Sequence, residues 1–104
     1  MKLQLALDEM PLVDALRFAM KTEEAIKLVE KVKDYIDIIE VGTPICLDAG
    51  NNAVERMKKE FPDKEVLADC KIMDGGYLET ENAIKAGADY VTVCAAADLL
   101  TVKG

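Results

Sequence analysis

The sequence predicts an α/β fold built on a parallel sheet, and three observations carry that reading. Four short apolar runs, at 3–7, 35–39, 64–68 and 89–94, alternate with segments of helical period, the pattern of β/α units joined by right-handed crossovers. The first three runs end in acids: Asp8, Glu40 and Asp69. Turn-forming residues punctuate the joins, with Gly42 and Pro44 after the second run, Gly75 and Gly76 after the third, and Gly87 before the fourth.

Taken in order, residues 3–7 alternate and then run apolar, which reads as a strand closed by Asp8. Residues 9–34 are helical in pattern and fall into two pieces. Pro11 in a first turn opens 12–20. Thr22 reads as a fresh N-cap, with Glu23 and Glu24 favourable to the helix dipole, ahead of Ala25, Ile26, Leu28, Val29 and Val32. A single long bent helix is the alternative. Residues 35–39 form the second strand, with Glu40 at its end and 41–44 as the turn after it. Ala53, Val54 and Met57 lie on one face of a short helix over 51–60, closed before Pro62. Residues 64–68 are the third strand, whose continuous run Val66, Leu67, Ala68 is that of a buried parallel strand. A helix over 77–86 is stopped by Gly87. Residues 89–94 are the fourth strand, and 95–103 begin a turn or helix that does not develop.

The 104 residues make one domain, long enough for a core and short for a complete α/β barrel. No apolar run is long enough to span a bilayer, and residues 1–5 are too short and too polar for a signal peptide, so a cytoplasmic protein is expected. Thirteen basic against 20 acidic residues give a net charge of -7, which disfavours nucleic acid and anionic membranes as partners. An acidic site would also repel a phosphorylated substrate unless a divalent cation neutralised it. Cys46, Cys70 and Cys94 are odd in number and contain no C-x-x-C pair, so neither a disulfide framework nor a zinc site is indicated. Cys70 and Cys94, beside strand ends, read as small buried hydrophobes rather than reactive thiols.

The chemistry concentrates in residues 66–76. Asp69 and Lys71 are two apart, so on an extended segment they point the same way, with Asp74 on the following loop. Ligands bind at the carboxyl ends of parallel strands. Against this, 32% of the chain is charged, and an isolated Asp-x-Lys-x-x-Asp is most simply a solvated ion pair. Any one acid at a strand end can also cap the next helix. Three carboxylates converging on one rim are costly unless a metal ion and a lysine share the site.

Four blocks then resemble 3-hexulose-6-phosphate synthase, of the orotidine 5′-monophosphate decarboxylase superfamily: residues 1–8 (MKLQLALD), 38–44 (IIEVGTP), 66–76 (VLADCKIMDGG) and 86–93 (AGADYVTV). The blocks stand in family order and cover nearly the whole chain outside the first helical region. The resemblance implies a (β/α)8 TIM barrel, of which this chain holds the N-terminal half, and a Mg2+-dependent aldol reaction between ribulose 5-phosphate, a sugar phosphate, and formaldehyde. Carried over by position, Glu40 and Asp69 are the expected Mg2+ ligands, a number of carboxylates that suits this ion. Lys71 is expected to stabilise the enediolate oxygen, and Asp8 to contact the substrate or orient Lys71. Asp74 is expected to reach the site of a neighbouring subunit in a dimer. The sister 3-keto-L-gulonate-6-phosphate decarboxylase shares this scaffold and is the alternative activity; the wording Met73-Asp74-Gly75-Gly76 favours the synthase.

Two departures shape the expectation. The stretch between Asp8 and Glu40 is about ten residues longer than the family spacing implied by the resemblance, which places an insertion near 10–21 beside the mouth of the site. Four strands also lack the phosphate-gripping loops that follow strands seven and eight, and the chain has no His for the proton transfer that the family assigns to a second-half histidine. Negligible synthase activity is therefore expected of the chain alone. Its open edges favour a homodimer or self-association of half barrels. A non-catalytic half barrel that pairs with a full-length homologue, and a fragment with no task, are the readings from other classes.

Overall fold

The computed structural model describes residues 1–8 and 21–104. The inserted stretch near 10–21 lies, but for Lys21, outside the described residues. Four strands, β1 (Gln4–Leu7), β2 (Ile38–Val41), β3 (Glu65–Ile72) and β4 (Tyr90–Val93), pair in parallel in the order β1-β2-β3-β4. That order separates two α/β designs. A doubly wound sheet reverses its strand order and carries helices on both faces. Here every strand lies beside the one before it, so successive right-handed crossovers stack their helices on one face, as in a barrel wall.

The helices are α1 (Thr22–Val32), α2 (Thr43–Ala49), α3 (Asn51–Glu60), α4 (Gly76–Lys85) and α5 (Leu99–Lys103), with a 3-10 turn at Lys33–Tyr35. Leu7, Ile39, Val41, Val66 and Ala68 point to the helical face and are fully buried there with Val29, Ile45, Val54 and Met57. The alternate strand positions face the other way. Gln4 and Ala6 are exposed on that side, and Ile38, Glu40 and Leu67 are half-buried, so the surface that lines the inside of a closed barrel is uncovered.

The structure moves several expected boundaries. The second strand begins at Ile38 rather than at 35, because Tyr35 closes a 3-10 turn and Asp37 is tied to β1: its Oδ2 accepts the Leu3 N–H at 2.8 Å and its own N–H reaches Leu3 O at 2.9 Å. Glu40 is therefore inside β2, one residue from its end. The third strand runs four residues past Ala68, taking in Asp69 and Lys71. The N-cap of α1 is Lys21 rather than Thr22, with Lys21 N–H donating to Glu24 Oε2 at 3.0 Å. Residues 41–44 are more than a turn, since Pro44 stands in the first turn of α2, a seven-residue helix. So short a segment shows no period in sequence. Residues 95–103 likewise do develop, into α5, whose cap Asp98 accepts the Thr101 N–H at 2.7 Å. Helix α3 has the bounds expected of it, and Gly87, with φ 106°, follows α4 as expected. Among the described residues no helix is long and apolar enough to cross a membrane.

Candidate active site at the carboxyl rim

The site is built on an irregularity in β3. Pairing with β4 shifts between Ala68 and Ile72, and Lys71 has φ 48°, a left-handed conformation that costs a non-glycine residue roughly 1–2 kcal/mol. Such bulges re-aim side chains. The expectation that plain extended geometry aligns Asp69 with Lys71 is corrected here: the two do meet, but across a bulge. Lys71 Nζ forms an ion pair with Asp69 Oδ2 and donates to Thr43 Oγ1 at 2.7 Å. Asp69 is only 7% exposed, whereas 56% of the Lys71 side chain is in solvent. The carboxylate is buried and the lysine reaches it from the solvent side.

Two threonines hold the pair, and neither was marked by the sequence reading. Thr43, at the start of α2, donates to Asp69 at 2.9 Å. Thr92 of β4 donates to Asp69 Oδ1 at 2.7 Å while its oxygen accepts the Lys71 N–H at 2.9 Å. One hydroxyl thus satisfies both the buried carboxylate and the backbone of the bulge. The available signal was positional: Thr92 follows the β4 residue paired with Ala68, so it lies on the neighbouring strand level with Asp69. Gln4 is a third such residue, reaching from β1 to donate its Nε2–H to Glu40 Oε2.

Asp8 and Glu40 join the same rim. Asp8 lies against Gly42, where an added Cβ would stand 2.0 Å from Asp8 Oδ1. The Asp69 hydrogen bond raises the affinity of Lys71 for its proton; burial opposes this, and the charges of Asp69, Glu40 and Asp8 add to it. Asp8, Glu40 and Asp69 therefore all act on the Lys71 ammonium. Asp74 stands apart: it is exposed, and its Oδ1 accepts the Gly75 N–H at 2.7 Å just before α4. The three cysteines are half-buried rather than buried.

The electrostatics of Asp69 set a pH limit. Burial pushes its carboxyl up, but hydrogen bonds from Lys71, Thr92 and Thr43 together outweigh this and hold it below the ordinary 3.8. At Asp89 burial is likewise outweighed, by Lys58 and the Val66 N–H. A depressed carboxylate contributes stability that is fully present above its unfolded value and is lost as pH falls through its folded one. The urea midpoint is expected to be flat with respect to these two groups from neutrality to about pH 5 and to fall below about pH 4. In Asp89→Asn that fall should be shallower. An equal fall in the variant would remove Asp89 from the account.

Among the described residues no three acidic or thiol groups converge as a ready-made metal cage. The donor set nevertheless suits a hard divalent cation that keeps most of its waters. Glu40 Oε1 has no donor among the described residues, and Asp69 Oδ1, with one hydrogen bond, retains a lone pair.

Comparison with known proteins gives the family and the fold. The family described as orotidine 5′-phosphate decarboxylase / HUMPS matches residues 1–104. The 3-hexulose-6-phosphate synthase of Bacillus subtilis is 46% identical over the whole chain, which covers 45% of that protein. The crystal structure of 3-hexulose-6-phosphate synthase from Salmonella typhimurium superposes with a TM-score of 0.88 at 50% identity, over 99% of this chain and 44% of that one. A 3-keto-L-gulonate-6-phosphate decarboxylase from Vibrio cholerae gives 0.85 at 33% identity, over 97% of this chain and 42% of its own. The chain thus spans about half the length of the relatives it matches and corresponds to the N-terminal half of their TIM barrel.

Proposed function

The chain belongs to the orotidine 5′-phosphate decarboxylase / HUMPS family, and from that premise we propose that it is the metal-site half of a 3-hexulose-6-phosphate synthase, which in a completed barrel joins formaldehyde to ribulose 5-phosphate. The observation that carries the reading is the Asp69–Lys71 pair, clamped by Thr43 and Thr92 on the rim that also holds Glu40 and Asp8. Identity of 41–50% with synthases against 33% with the decarboxylase favours the first activity.

Glu40 and Asp69 would hold Mg2+. When bound, that ion supplies a Lewis acid that lowers the cost of removing a proton beside a carbonyl. The remaining work falls to the protein. Lys71, charged and solvent-facing beside the buried Asp69 carboxylate, donates to the substrate oxygen on which negative charge develops. Asp8 sets the position of that ammonium through its charge. Asp74, clear of the cluster, serves the site of a second copy.

The 104 residues alone should turn over negligibly, because the loops that grip a substrate phosphate follow strands seven and eight of a barrel and remote binding supports rate as well as affinity. Self-association is part of the proposal. The β4 edge opens onto a groove of about 450 Å3 whose lining includes Ile84, Tyr90, Val93 and Val102, all four substantially exposed, and such edges recruit further chains.

The test gives the purified chain Mg2+, ribulose 5-phosphate and formaldehyde, with and without the C-terminal half of the Bacillus subtilis synthase. No formaldehyde should be consumed by the chain alone, and Mg2+-dependent consumption should appear when the halves combine. Turnover by the chain alone would overturn its inactivity. Decarboxylation of 3-keto-L-gulonate 6-phosphate by the combined halves, in place of aldol addition, would assign the sister chemistry. A stable monomer in sedimentation at micromolar concentration would end the pairing claim.

A further inference from the structure

On the helical face of β3, opposite the rim cluster, Cys46 of α2 and Cys70 of β3 pack against the same core and open onto one cavity. Cys46 Sγ also donates to Val41 O at 3.3 Å. The two residues line a surface cavity of about 180 Å3 with Gly50, Asn51, Glu79 and Asn82. Both are half-buried, so a small reagent can reach them. Cys94 lies elsewhere, with its thiol on Lys71 O at 3.3 Å.

We infer that Cys46 and Cys70 form a vicinal dithiol site that small disulfides oxidise to an intrachain Cys46–Cys70 bond. The inference rests on the shared cavity and the packing of both residues on one core, and stands whether or not the chain contributes to a synthase. In the first step one cysteine attacks a low-molecular-weight disulfide such as oxidised glutathione. The S–S bond of the reagent breaks and one thiol leaves. The second cysteine then displaces the remaining half. Two cysteine protons depart on the two released thiols, the cysteines lose two electrons, and the reagent gains them. The new bond ties α2, which begins at Thr43, to the strand that carries Asp69 and Lys71.

Chain statistics supply an internal control. Cys46 to Cys70 and Cys70 to Cys94 are each separated by 24 residues, so an unfolded chain closes the two loops at equal entropic cost. A preference between them reports the fold. The native chain is treated with oxidised glutathione at neutral pH, remaining thiols are alkylated, and the unreduced chain is cleaved after Lys and Arg, which separates all three cysteines at Arg56 and Lys71. Mass spectrometry should find the chain two hydrogens lighter, with the Cys46–Cys70 linkage in at least about tenfold excess over Cys70–Cys94. The same treatment in strong denaturant should bring the two linkages to parity. Comparable linkages from the native chain would overturn the inference. So would glutathione adducts on both Cys46 and Cys70 with no bond between them.

Discussion

Gly42→Ala is expected to lower the unfolding free energy by about 3 kcal/mol, near the upper end of what overpacking costs. The backbone at Gly42, φ -63° and ψ 157°, suits alanine as well as glycine. Conformational entropy alone would therefore make the change stabilising by about 0.4–1 kcal/mol. Sterics decide the sign. The new Cβ would stand 2.0 Å from Asp8 Oδ1 and 2.3 Å from Leu7 O. A side chain can rotate away, but Leu7 O is backbone, and it already accepts the Gly42 N–H at 2.9 Å. The Gly42 carbonyl in turn accepts the Ile45 and Cys46 N–H groups that start α2, both at 3.0 Å. Relief of the clash must displace β1 from β2 or unwind the helix that carries Thr43. Gly75→Ala is the control: it has open space around it and lies in the ordinary left-handed region, φ +62° and ψ 33°, so it should cost only about 1 kcal/mol of backbone strain. Urea unfolding that puts both variants within about 0.5 kcal/mol of each other would reject the close approach of Asp8 to the rim.

The difference between what the sequence disclosed and what it hid lies in range. Asp8, Glu40, Asp69 and Lys71 were legible because each sits at or near the carboxyl end of an apolar run, and strand-end position is a local property. The winding was legible for the same reason, since alternating strand and helix periods over short joins leave few topologies. The residues that make the cluster workable were not. Thr43 and Thr92 lie 26 and 23 residues from Asp69, and each is an ordinary hydroxyl until strand register places it beside a buried carboxylate. Lys71 in a left-handed conformation has no mark in its residue type, since glycine or asparagine is what such a position ordinarily selects. Helix α2 escaped because seven residues give no periodicity. The shared cavity of Cys46 and Cys70 escaped because the spacing of the cysteines matches no motif, and only the packing of α2 on β3 brings them to it.

Lys71→Met in the barrel completed by a homologous C-terminal half is expected to lower kcat by about 10²–10³-fold, the usual loss when a donor to developing negative charge is removed. KM should change much less, because an interaction made mainly in the transition state adds little to ground-state binding. The alternative is that Lys71 serves only to neutralise Asp69. Stability separates the two. The lysine is 56% exposed, and exposed ion pairs contribute little to folding, while Asp69 keeps its bonds from Thr43 and Thr92. A purely electrostatic brace would therefore show as a shallower fall of stability toward low pH, since Asp69 loses a bond that lowers its proton affinity, with kcat at neutral pH near that of the parent. A donor to the reacting oxygen would show the opposite balance: neutral-pH stability close to the parent and turnover almost gone. Lys71→Arg refines the distinction. Its guanidinium keeps a positive charge beside Asp69 but replaces a compact ammonium by a wider planar fork, so it should restore the steeper acid fall and recover only a small part of the rate. Full recovery by arginine, or a kcat for Lys71→Met within about threefold of the parent, would leave Asp69 and Glu40 as the only chemistry on the rim and remove Lys71 from the mechanism.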